Sequence, residues 1–150
     1  MRYRFHTLSL LAAAAAISLP CRAAVELLVP AYFYPSFDPA LSQWDEMTAA
    51  AQAGASITAI MNPDSGVGGS FNADYAAAVD AFQAAGGQVL GYVYTCYGGT
   101  RCFDGLPPTR SVGEVLAQAQ RYADWYGVDG IFLDEMSNLA ADLGFYADIS

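Results

Sequence analysis

Val128-Asp129-Gly130-Ile131-Phe132-Leu133-Asp134-Glu135 is the stretch whose reading decides the fold. Val128, Ile131, Phe132 and Leu133 are apolar, and a helix-like segment and a glycine precede them. A short apolar run in that setting reads as a strand buried on both faces. It stops at two adjacent acids. In parallel α/β sheets the carboxyl ends of the strands face the ligand site, so Asp134 and Glu135 sit where chemistry is expected. Successive strand side chains point to opposite faces. One acid is therefore expected to face the cleft and the other the barrel wall or the next loop. The alternative is structural: Asp134 or Ser137 starts the following helix as its N-cap. Burial of an acidic pair is costly, which favours a functional role.

Upstream, strands and helices alternate. Residues 26–33 read as an apolar strand leading into Tyr34-Pro35-Ser36. Residues 40–53 have helical spacing through Leu41, Trp44, Met47 and Ala51, and Gly54 stops them. A second strand spans 56–61, a second helix 74–85 and a third strand 88–94. A third helix covers 111–126, with Ser111 and Glu114 as a capping box and Gly127 at its end. Residues 138–150 read as a fourth helix. Trp44, Phe82 and Trp125 fall at core spacing. Four β-α repeats with short connections make parallel strands and right-handed crossovers. The expected fold is α/β, of the (β/α)8 TIM-barrel type, with only the first four β-α units in this chain, since a barrel takes about 250 residues. A complete open sheet is the alternative. The Asp64 to Gly69 loop lacks the glycine spacing of a nucleotide-binding turn.

Residues 1–23 read as a secretory signal peptide: Arg2 and Arg4, an apolar stretch from Leu8 to Leu19, and Cys21-Arg22-Ala23 as the cleavage site. The stretch is too short for a membrane span. A retained N-terminal anchor is the alternative. The domain is thus 24–150, in a secreted or periplasmic protein. Cleavage removes the single histidine, His6, and leaves three arginines, no lysine and 15 acids, a net charge of −12. Nucleic acid and, after cleavage, membrane are excluded as partners; a neutral or cationic polymer fits. Without histidine there is no Ser-His-Asp or Cys-His mechanism and no His-rich zinc site. No metal or cofactor is expected. Cys96 and Cys102 remain, an even number in an exported chain, and bracket a glycine-rich loop. A disulfide there adds about 2 kcal/mol; metal binding by two thiolates is the alternative.

The strand ends form a set. Val29-Pro30-Ala31-Tyr32-Phe33-Tyr34-Pro35, Ile60-Met61-Asn62-Pro63-Asp64-Ser65-Gly66, Gly91-Tyr92-Val93-Tyr94-Thr95 with Tyr97-Gly98 and Arg101, and Asp129 through Glu135 resemble the spherulation-specific family 4, or spherulin-4-like, proteins. The likeness runs in order through nearly all of 24–150. It implies kinship with (β/α)8 glycoside hydrolases that cut galactosamine-containing polysaccharide such as fungal galactosaminogalactan. It further implies that Asp134 and Glu135 are catalytic, with another acid supplied by a later strand.

From the residues alone, two adjacent acids supply one side of the carboxyl pair that glycoside hydrolysis needs. Tyr32, Tyr34, Tyr92, Tyr94 and Tyr97 suit sugar faces and hydroxyls, or else barrel packing. Asn62 bonds a sugar hydroxyl or shapes an Asn-Pro turn. Arg101 pairs with an acid near the cleft or is a solvated loop cation. With the resemblance, the expected function is a secreted glycoside hydrolase, inactive as this fragment, that cleaves a galactosamine- or N-acetylgalactosamine-containing, cationic polysaccharide substrate by carboxylate acid/base chemistry. The competing class is a non-catalytic wall or matrix protein that binds polysaccharide. A deacetylase is weaker, for want of histidine ligands.

Overall fold

In the computed structural model, residues 25–36, 38, 42–102 and 109–150 are described. The expected signal peptide lies outside them, as do residues 39–41 at the expected start of the first helix.

Four strands, β1 (Glu26–Ala31), β2 (Ser56–Met61), β3 (Gln88–Tyr94) and β4 (Gly130–Asp134), form one parallel sheet in the order β1-β2-β3-β4. The register pairs Ala31 with Met61, Met61 with Gly91, and Tyr94 with Asp134. The sequence-predicted bounds of β2 and β3 coincide with those observed. β1 ends at Ala31, two residues earlier than predicted. β4 corrects a second expectation: all five of its residues are half-buried, because it pairs only with β3 among the described residues.

Alternation sorts the strand side chains into two layers. Ile57, Ala59, Met61, Val89 and Val93 join Trp44, Met47, Tyr75, Val79, Phe82, Val115 and Tyr122 in the main core. That layer is covered by α1 (Gln43–Gln52), α2 (Ala73–Ala84) and α3 (Val112–Tyr126). Ile60, Tyr92, Tyr94 and half-buried Phe132 form a separate, smaller cluster on the opposite face. Further down that face, Leu28, Thr58, Gln88 and Leu90 line a hollow of about 450 Å³.

The helices start where their caps allow. Ser42 and Asn72 accept first-turn N–H groups of α1 and α2 through their side chains. The capping box of α3 is present: the Ser111 N–H donates to Glu114 Oε2 at 2.7 Å, and the Glu114 N–H to Ser111 Oγ at 3.2 Å. Gly127 ends α3 in the left-handed region at φ 57°. Trp125, expected in the core, is only half-buried on the rim of α3. The last predicted helix is shorter, a 3-10 turn (Ala140–Asp142) followed by α4 (Leu143–Ala147). Neither is capped by Asp134 or Ser137.

Gly91 keeps α3 close to the sheet. A Cβ there would lie 2.5 Å from the ring of Tyr122, which is fully buried and donates its hydroxyl to the Met61 carbonyl. Gly91→Ala is expected to lower the unfolding free energy by about 1–3 kcal/mol, the usual cost of overpacking. Denaturant titration measures it; an unchanged midpoint contradicts this packing.

Candidate functional site

Asp134 and Glu135 lie where β4 ends, tied to the end of β3 through the backbone. The Thr95 N–H donates to the Asp134 carbonyl at 2.9 Å, and the Tyr97 N–H to the Glu135 carbonyl at 2.8 Å. The buried Thr95 hydroxyl lies 2.9 Å from both carbonyls. Cys96, Tyr97 and Glu135 all take positive φ, near 50°, although none is glycine. Such backbones are costly, persist only where their surroundings enforce them, and cluster at functional sites.

The two acids meet different partners, as alternation requires. Asp134 belongs to the sheet face that carries Tyr92 and Tyr94, and the Tyr92 hydroxyl donates to its Oδ2 at 2.8 Å. Burial first, then this bond, pushes the Tyr92 phenol well above its ordinary pKa, so it stays a donor. The Tyr92 ring and that of half-exposed Tyr32 meet in a T-shaped pair, 5.6 Å between centroids. Glu135 turns elsewhere. The Cys96 N–H bonds its carboxylate, and Oε2 is buried without a hydrogen-bond partner. Burial, and next the Asp134 charge, raise its pKa; the Cys96 bond and nearby Arg110 pull it down.

The other sequence-predicted residues divide. Tyr94 is buried beside Asp134 in register, with the Arg110 guanidinium 3.7 Å from its ring centre. Tyr97 sits in the left-handed turn after β3. Cys96 and Cys102 form the disulfide that closes this turn. Tyr34 is not brought to the acids: once β1 has ended, alternation no longer directs its side chain. It meets Tyr75, Asp74 and Asn72 at the start of α2. Asn62 shapes its own loop, accepting the Gly66 N–H at 2.8 Å. Arg101 pairs with Asp142 and bonds the Tyr97 carbonyl and Ser137 Oγ. It joins the two loops instead of reaching Asp134 or Glu135.

Sequence reasoning did not single out Thr95 or Arg110. The signals were faint: a polar residue directly after an apolar strand, and an arginine in a chain with few. Among the described residues, no group of three or more His, Cys, Asp or Glu is arranged to hold a metal ion.

Residues 26–150 match the sequence model of spherulation-specific family 4. The chain is similar to Spherulin-4 of Physarum polycephalum, 38% identical over 127 residues, which is 83% of this chain and 34% of that protein. It therefore spans about a third of the length of the curated relative it matches. No solved structure matches.

The raised pKa of Glu135 has a consequence for stability. A carboxyl held above its unfolded value contributes stability below the unfolded pKa, and loses it as pH rises through the folded one. Glu135→Gln removes the charge. As pH rises from the unfolded value of about 4 through the raised folded one, the melting temperature of the variant is expected to rise relative to wild type. A gap that does not vary with pH contradicts the shifted titration.

Proposed function

The chain belongs to spherulation-specific family 4, and from that premise we propose that it is an exported glycoside hydrolase acting on galactosamine-containing polysaccharide. The observation that carries the reading is the acidic pair at the end of β4, with each carboxyl in its own environment. Asp134 is oriented by the Tyr92 hydroxyl on the sheet face free of α1, α2 and α3. There it is placed to stabilise positive charge at the anomeric carbon. Glu135, biased by burial towards its protonated form, suits proton donation to the leaving oxygen. Two adjacent acids supply one side of the carboxyl pair. The other side is assigned to a later strand, in keeping with a (β/α)8 barrel of which this chain holds four units.

Other features support this reading. Parallel strands in sequence order, with helices on one face and a second apolar cluster on the other, suit part of a barrel wall. Half-exposed Tyr32 beside Tyr92 offers an aromatic surface for a pyranose ring. The disulfide is compatible with export, and no described helix is long and apolar enough to cross a membrane. The net charge of −12 expected after leader removal favours a partly deacetylated, cationic polymer, an attraction that salt weakens.

Reducing-end release from such a polymer, by protein that includes the later acid the proposal requires, tests it. Asp134→Asn and Glu135→Gln are nearly isosteric and are each expected to lower turnover by about 100-fold or more. Wild-type turnover in both variants contradicts the assignment. Binding without cleavage by the wild type establishes the wall-binding reading in its place.

A further inference from the structure

Behind Tyr94 lies a second polar cavity, of about 420 Å³, whose lining includes neither Asp134 nor Glu135. It opens at the start of α3 and runs down that helix, past Gln118 to Arg121. Arg110 and Arg121, two of the three arginines in 24–150, both line it. Arg110 is 5% exposed, yet its Nε and Nη2 are buried without hydrogen-bond partners. Its neighbours are the Tyr94 ring and, further off, the carboxylates of Glu135 and Glu114, whose pKa it pulls down. Burying a guanidinium is costly, and a cation–π contact, with carboxylates that make no hydrogen bond to its Nε or Nη2 among the described residues, offsets only part of that cost. Natural structures reserve such unsatisfied groups for a ligand or another unfilled role.

The lining says what the ligand is. Arg110 offers a fork of donors that fits a carboxylate or phosphate in two-point contact. Half-buried Arg121 adds a second positive charge and forms no ion pair among the described residues. The opposing charge in the lining is Glu114, engaged with Ser111 in the capping box. The positive end of α3, a helix of 15 residues, opens into the same space. Gln118 lines the cavity with its stem, while its amide packs against Gly66. We infer that this cavity is a binding site for an oxyanion, a sugar carboxylate or a sugar phosphate, held by Arg110 and Arg121. Its lining excludes Asp134 and Glu135, although Arg110 also acts on Glu135, and the inference does not rest on the hydrolase reading.

The test is calorimetric titration of the chain with D-galacturonate, D-galactose 6-phosphate and neutral D-galactose. At least one of the two anions is expected to bind, and galactose at least tenfold more weakly. The responding anion tells carboxylate from phosphate; a response to both defines a general oxyanion site. Arg110→Gln is expected to weaken the anion about tenfold or more, the scale of a lost charged hydrogen bond, and Arg121→Gln to weaken it less. If Arg110→Gln does not fold, the Arg110 Nε–H resonance of the wild type replaces it, and is expected to shift saturably with the anion. No binding of either anion, equal binding of galactose, or unchanged affinity in a folded Arg110→Gln overturns the inference.

Discussion

The candidate site depends on the bonds between the end of β3 and the end of β4. Parallel strands that stop together leave backbone carbonyls without ladder partners, and here Thr95 supplies the donors. Its N–H takes the Asp134 carbonyl, and its hydroxyl lies within bonding distance of both acid carbonyls. The Tyr97 N–H completes the tie by taking the Glu135 carbonyl. Because β4 has no second strand neighbour among the described residues, these bonds and the β3 register fix where its carboxylates point. The left-handed backbones at Cys96, Tyr97 and Glu135 are the cost of that fixation. The disulfide closes the loop after β3, and the Arg101–Asp142 pair ties that loop to the turn that follows β4.

A second consequence is electrostatic. Asp134 and Glu135 are neighbours in sequence but lie in different surroundings, one against a phenol and the other half-buried against a peptide N–H. Burial and the neighbouring Asp134 charge raise the pKa of Glu135, and a carboxyl biased towards its protonated form is what an acid role requires. Tyr92 is part of this arrangement, since a phenol with a raised pKa remains a donor to Asp134 at neutral pH.

The alternation of apolar runs and helical spacing made the sheet legible from the sequence. β2 and β3 were bounded by glycines and turn residues strong enough to set both ends. The acidic pair was legible for the same reason, since it interrupts an apolar strand. The ends of β1 and of the last helix were not, because nothing in Tyr32-Phe33-Tyr34 marks where pairing stops. That is why Tyr34 was expected beside the acids but sits at the start of α2. Arg101 was legible as a loop cation but not as the partner of Asp142, a contact between segments 41 residues apart. Arg110 carried no local pattern; its importance lies in what it fails to meet, which only the packed structure reveals.

The central claim is that a glycosidic bond is received at the end of β4. The most direct measurement is a crystal structure of Asp134→Asn with a galactosamine oligosaccharide bound. The account predicts a glycosidic oxygen within hydrogen-bond reach, about 2.6–3.2 Å, of the residue 134 or Glu135 side chain, with a pyranose face on Tyr32 or Tyr92. An oligosaccharide seated away from both residues would contradict it.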